Sequence, residues 1–239
     1  MAITHARVYQ AKEAMPPEYR AFLTKLLVEH AEMLTSPSYL GFLKEEMERA
    51  ARLAPTEDDR VTVAWYVREE VMHGLTFFKL MADLDPALVT RDLPQKHYAF
   101  HLPMDTWADV GYFHFLIDLA GAFQAEEWVD CSYAPLARIA PQLIRDEHGH
   151  SAMGEGFLRR LVETEGGRRA VEALLPKWYP AGLDMFGRSS SRRQHEYIAC
   201  GLKRRTNEDL RRAYKAYVDA KVSGFGVALP DATAGRRYL

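Results

Sequence analysis

Two Glu-x-x-His motifs, Glu70-Val71-Met72-His73 and Glu147-His148-Gly149-His150, constrain this chain more than any other feature. On an α-helix, residues three apart share a face, so each motif aims one carboxylate and one imidazole at the same point. Two such helices set face to face offer two oxygen and two nitrogen ligands. Two further carboxylates complete the ligand set of a di-iron or di-manganese centre inside a four-helix bundle. A centre of that kind activates dioxygen, so the pattern predicts an oxidative enzyme.

One such motif carries little weight in a chain with 33 acidic residues and 9 histidines. The weight comes from their placement. Pro16-Pro17 opens a helix, since proline is tolerated in a first turn, and apolar residues at helical spacing carry it to about Leu34. Ser36-Pro37-Ser38 breaks it. A second helical stretch covers about Tyr39 to Leu53, and Thr56 caps a third that runs through the first motif to about Ala82. A proline-dotted connection over 83–104 follows. Asp105 is expected to cap a helix from Trp107 to about Cys131, and a turn at 132–135 starts another that carries the second motif to about Glu165. Gly166-Gly167 is expected to end that helix. One or two helices over 168–185 and a last one from Thr206 complete the chain; residues 1–15 read as an extended arm and the end as irregular. Val67, Val71, Leu75 and Phe78, with Leu143, Ile144, Met153 and Phe157, are expected to set buried apolar stripes beside the two motifs.

Asp118, Glu126 and Glu127 compete to supply the ligand of the third bundle helix. With a turn at 132–134, Glu147 lies about 18 Å into its helix and Asp118 about 20 Å before the turn, whereas Glu126 and Glu127 lie only about 6–8 Å from it. Asp118 is therefore level with Glu147. It also sits within Phe115-Leu116-Ile117-Asp118-Leu119-Ala120, where an unpaired carboxylate is costly. The first bundle helix offers Glu29 and Glu32, and spacing chooses neither. His114, four residues before Asp118, is expected to be a core histidine or a donor behind that carboxylate; His148 points away from the motif face.

Composition excludes other classes. A net charge of −2 argues against a nucleic-acid binder held by phosphate attraction. Arg159-Arg160, Arg168-Arg169, Arg192-Arg193 and Lys203-Arg204-Arg205 are local clusters, each read singly as a solvated face, and near the bundle mouth able to hold a phosphate-bearing carrier. Cys131 and Cys200 fit neither a disulfide framework nor a zinc knuckle, and two free thiols suit a cytoplasmic setting. The opening residues lack the pattern of a signal peptide, and no apolar run is long enough for a bilayer, so no membrane partner is expected.

Several stretches resemble the phenylacetate catabolic family of ferritin-like proteins, in particular the catalytic A subunits of ring-1,2-phenylacetyl-CoA epoxidases. They are Met15-Pro16-Pro17-Glu18-Tyr19-Arg20, Ala54-Pro55-Thr56 at the family's distance before Glu70-Val71-Met72-His73-Gly74, and Ser132-Tyr133-Ala134-Pro135-Leu136-Ala137-Arg138. Glu147 and His150 with Gly154, Trp178-Tyr179-Pro180, Met185-Phe186-Gly187 and Lys203-Arg204-Arg205-Thr206-Asn207-Glu208-Asp209-Leu210 continue the resemblance, which spans about residues 15–231.

The resemblance implies one all-α domain over 1–239: a ferritin-like four-helix bundle (about 16–165) with additional C-terminal helices (about 168–231). It implies Glu70, His73, Asp118, Glu147 and His150 as ligands of two irons, which also form the catalytic set. The family's first-helix glutamate falls on Leu34, ahead of an insertion near 35–53, so Glu32 is taken as the ligand there. The implied activity is that of a di-iron monooxygenase or epoxidase. It would act on an aromatic or unsaturated acyl thioester such as a coenzyme A ester, with dioxygen, an external reductase and a ferritin-like structural subunit or a second copy as partners. A non-catalytic subunit of such a complex and an iron- or peroxide-handling ferritin-like protein are the alternatives.

Overall fold

Short polar caps fix several helix starts in this chain. Thr56, Thr164 and Thr206 each accept a hydrogen bond from the backbone N–H three residues on, with Asp59, Gly167 and Asp209 as donors at 3.1 Å. Each satisfies one of the amides that a helix start leaves without a partner. The structure, a computed structural model, describes residues 7–34, 37–90 and 97–238, with the side chains of 31–34, 37–39 and 90 left aside.

Helices α1 (Pro17–Leu34) and α2 (Pro37–Leu53) both pack along α3 (Glu57–Leu84). The start of α1 meets the end of α3, where the Arg20 guanidinium donates to Leu84 O at 2.5 Å. The next bundle helix is composite: α4 (Trp107–Tyr112), a π-helical stretch (Phe113–Asp118), α5 (Leu119–Ala125) and a 3-10 turn ending at Trp128. Helix α6 (Ala134–Leu161) packs against all of these and against α3. Arg160, in the last turn of α6, pairs with Asp59 at the start of α3, so these two helices run antiparallel. Helices α7 (Glu165–Asp184), α8 (Arg193–Ala199) and α9 (Asn207–Ser223) follow, and α7 and α9 close over the composite helix. Leu116, Phe123, Trp178, Leu210 and Tyr214 share one buried core there. The described residues are helical with irregular connections, in an all-α bundle of the ferritin-like kind.

The π-helical stretch breaks the regular ladder and leaves carbonyls to be satisfied from outside. Ser151 of α6 donates to Phe115 O at 2.9 Å, and Tyr214 of α9 donates to Leu116 O at 2.8 Å. The C-terminal helices thus hold the segment that carries His114 and Asp118.

Several expectations are corrected. The fourth helix is capped by Thr106 rather than Asp105, because Thr106 and Asp109 form a reciprocal capping box. That helix turns through the π stretch and ends at Trp128 rather than near Cys131. Gly166-Gly167 does not end α6. The helix stops at Leu161, Thr164 caps α7, and both glycines lie in the first turn of α7. A Cβ on Gly167 would sit 2.1 Å from Leu161 O, so glycine here permits the close approach of two helix ends. Val71, Leu75 and Phe78 are exposed instead of lining the core; with Val61, Trp65 and Met72 they form an apolar outer face on α3.

The expected arm is partly described. Residues 1–6 lie outside the described residues, and Tyr9 pairs with the turn before α6, donating to Ser132 O at 2.8 Å and accepting from Ala134 N at 2.9 Å. Residues 35–36 of the expected break, and 91–96 of the connection, also lie outside the described residues.

Candidate metal centre

Helices α3 and α6 are each 28 residues long, and each motif glutamate is the fourteenth residue of its helix (57 to 70 and 134 to 147). Antiparallel packing therefore brings the two motifs to the same level. His73 Nδ1 lies 3.3 Å from Glu70 Oε1 and 3.6 Å from Glu147 Oε1. His150 Nδ1 lies 3.2 Å from Glu70 Oε1 and 3.7 Å from Glu147 Oε2. Donor atoms of Glu70, Glu147 and His150 all fall within 4.8 Å of one another.

The outer nitrogens are held crosswise. His73 Nε2 of α3 faces Asp146 Oδ2 of α6 at 3.1 Å, and His150 Nε2 of α6 faces Glu69 Oε2 of α3 at 2.9 Å. A carboxylate behind an imidazole keeps the proton on the outer nitrogen and turns the inner lone pair toward a metal. Both inner Nδ1 atoms are buried and make no hydrogen bond. The residues present therefore fit a bound metal: two inward imidazole nitrogens, two carboxylates between them, and a carboxylate behind each ring. Sequence reasoning missed Asp146 and Glu69. The signal was present, since both motifs read acid-Glu-x-x-His.

Asp118 lines one cavity of about 70 Å³ with Glu70 and Glu147. The segment after it touches the motif directly, for a Cβ on Gly121 would meet Glu147 Cδ at 3.1 Å. His114 Nδ1 lies 2.9 Å from Asp118 Oδ2, which makes it a donor behind that carboxylate rather than an idle core histidine. Glu126 and Glu127 turn elsewhere. Glu127 accepts from Arg204 N, Arg205 N and Arg205 Nε at 2.8, 2.7 and 2.7 Å. This also corrects the reading of Lys203-Arg204-Arg205 as a solvated face: two of its residues tie the loop before α9 to Glu126 and Glu127. Of the α1 candidates, Glu29 is exposed and pairs with Lys25 at 3.3 Å. The side chain of Glu32 lies outside the described residues. One acidic residue that the sequence reading passed over, Glu46 of α2, is fully buried in the stripe of Phe42, Leu43 and Ala50.

Charge in the metal-free cluster is shared with protons. Burial alone would lower both imidazoles, but the carboxylates around them win: Glu70, Glu147 and Asp146 raise His73 to about 9, and Glu147 and Glu70 raise His150 to about 12. Burial, with the charge of Glu70 beside it, pushes Glu147 up to about 7. Burial opposes ionisation of Glu70 as well, yet its two imidazole partners hold it below the usual carboxylate range. Metal must displace these protons. Loading at pH 7 is expected to release at least about two protons per chain, one from each imidazole and a further share from Glu147, read by calorimetry in two buffers of different ionisation enthalpy; zero release would contradict the assignment. The raised His73 stabilises the metal-free fold below pH about 6.5, its unfolded value. That contribution is lost as pH rises through about 9, so the melting temperature of the metal-free protein should fall across that range.

A larger cavity of about 580 Å³ adjoins the small one. His30, Gln124, Trp128 and Met185 line both. Lys25, Arg188, Arg193 and Lys203 line the larger one, and burial lowers the Lys203 amine to about 8.

Residues 4–238 match the family model described as "Phenylacetic acid catabolic protein". The chain is also 26% identical over 241 residues to the A subunit of 1,2-phenylacetyl-CoA epoxidase from Escherichia coli (strain K12), a match that covers 96% of this chain and 75% of that protein.

Proposed function

The chain belongs to the phenylacetic acid catabolic protein family, and from this we propose that it is an oxygenase of phenylacetate-type catabolism, a di-iron monooxygenase acting on an aromatic or unsaturated acyl thioester. The observation that carries the reading is the mirrored pair of motifs, with inward imidazole nitrogens that make no hydrogen bond and a carboxylate behind each ring. Glu70, His73, Asp118, Glu147 and His150 would hold the irons, with Glu32 as the contribution of α1. When bound, the irons supply dioxygen activation after reduction by an external reductase, and transfer of one oxygen atom to a ring or double bond.

The chain's own residues do the rest. Phe77, Phe100, Ile117 and Leu143 line the small cavity and give the reacting group a largely apolar setting. His30, Gln124, Trp128 and Met185 stand between it and the larger chamber, and Gln124 Nε2 is fixed by donating to Met185 O at 2.8 Å. Lys25, Arg188, Arg193 and Lys203 in that chamber suit the phosphates of a coenzyme A tail, since charge-assisted bonds to phosphate are strong. The apolar outer face of α3 suits a second subunit, structural or identical, because large exposed apolar patches mark association sites. No helix among the described residues is long and apolar enough to cross a membrane.

The test is a single turnover under ¹⁸O₂ with iron-loaded, chemically reduced protein and phenylacetyl-CoA together with alkenoyl-CoA esters. One labelled oxygen atom per product is expected, and none with His150→Ala. Oxidation of the iron without label in any thioester would overturn the reading in favour of an iron- or peroxide-handling protein.

A further inference from the structure

A buried line of titratable groups stands behind the metal cavity. Glu46 of α2 and His114 of the π-helical stretch are both fully inaccessible to solvent. Glu46 Oε1 accepts from Arg49 Nη1 at 2.6 Å. Its other oxygen, Oε2, makes no hydrogen bond and faces His114 Nε2, which also makes none, across 3.6 Å. The second nitrogen of His114 bonds to Asp118 Oδ2 at 2.9 Å, and Asp118 lines the metal cavity. Four residues from two segments, α2 and the π-helical stretch, thus form a line from Arg49 through Glu46, His114 and Asp118 into the centre.

This line repeats a device seen twice more in the same site. His73 and His150 each carry a carboxylate behind the outer nitrogen. Here the order is shifted by one group: an imidazole stands behind a carboxylate, and a second carboxylate stands behind the imidazole. His114 is not placed to be a ligand itself. The ring of Tyr66 lies edge-on to both His114, at 4.3 Å between centroids, and His150, at 4.7 Å, and so separates the two imidazoles. Burying Glu46 and His114 together at this spot is costly unless the pair has a task, because buried polar groups without bonds destabilise a fold.

We infer that Glu46 and His114 are positioning residues of the metal centre, which hold Asp118 by its Oδ2 and leave Oδ1 as the oxygen available to the cavity. The inference rests on the di-iron reading. It requires that the pair act on metal affinity more than on folding. Removing a partner of this kind behind a ligand lowers metal affinity by roughly 10–100-fold.

The experiment titrates the metal-free full chain with Co(II), following the visible bands and the metal content, for the wild type and for Glu46→Gln and His114→Gln. Melting of the metal-free proteins is measured in parallel. The wild type is expected to take up about two ions, and Glu46→Gln to bind one of them roughly 10–100-fold more weakly with altered bands. Its metal-free melting temperature should be little changed, because the glutamine Oε1 still accepts from Arg49 Nη1 and Arg49 keeps its second partner, Glu45. A purely structural role would instead lower the melting temperature and leave the titration alone, and that result overturns the inference. If Glu46→Gln does not fold, His114→Gln reads the same clamp from its other member. A wild type that takes up no metal overturns the di-iron reading and this inference with it. A wild type that takes up two ions, matched in affinity by both variants, overturns only this inference.

Discussion

Iron-replete protein is expected to carry about two metals per chain, and His73→Ala or His150→Ala to carry less than half of that. Each imidazole presents an inner nitrogen 3.2–3.7 Å from both motif glutamates. Neutral imidazole is a principal ligand for iron, and its loss leaves carboxylates that bind divalent ions less selectively. Within the composite helix the effect should divide sharply. Asp118→Ala should lose metal, because Asp118 shares the cavity with Glu70 and Glu147. Glu127→Ala should keep its metal and lose stability instead, by about 2–4 kcal/mol, because three N–H donors of Arg204 and Arg205 lose their acceptor. Metal analysis and thermal melting of the four variants read both quantities. Full metal content in both histidine variants would sink the assignment, and retention in Asp118→Ala with loss in Glu127→Ala would mean that a different level of the bundle carries the centre.

A large stability effect is expected at Gly154 of α6. A Cβ there would lie 2.4 Å from Phe115 N, 2.6 Å from Gly111 O and 2.8 Å from His114 Cβ. Two of these are backbone atoms, so no side-chain rotation relieves the clash, and α6 must move away from the π-helical stretch. Overpacking of this severity costs about 3 kcal/mol or more, which for a chain of this size lowers the melting temperature by roughly 6–12 °C. The same movement would draw Ser151 off Phe115 O and disturb the His114–Asp118 pair, so metal content should fall as well. Gly149→Ala, five residues earlier in the same helix, is the control. A Cβ at 149 meets nothing within 4 Å, and alanine favours a helix interior over glycine by about 1 kcal/mol. The two substitutions should shift the melting temperature in opposite directions. A Gly154→Ala protein that melts with the wild type would show that the helices are not in this close contact.

The sequence by itself determined the features that depend on neighbours within about one helical turn. The caps at Thr56 and Thr206, the starts of α3, α6 and α9, and the two Glu-x-x-His faces are of this kind, because a side chain, its i+3 partner and the backbone amide it satisfies lie in one short segment. Levelling Asp118 with Glu147 needed one further fact, the place of the turn, which Ser132-Tyr133-Ala134-Pro135 marks. The tertiary structure alone decided how each helix is rotated about its axis. On α3 the pattern is ambiguous, since Val63, Tyr66, Phe77, Leu80 and Met81 face the core while Val61, Trp65, Met72, Leu75 and Phe78 face outward. With apolar residues on both sides, periodicity does not select the buried face, and only packing against α1, α2 and α6 does. The crossed clamps of Asp146 on His73 and Glu69 on His150, and the approach of Glu46 to His114, follow from that rotation. They join residues 73, 81 and 68 positions apart, so their energies appear only once the helices have met and closed the intervening chain.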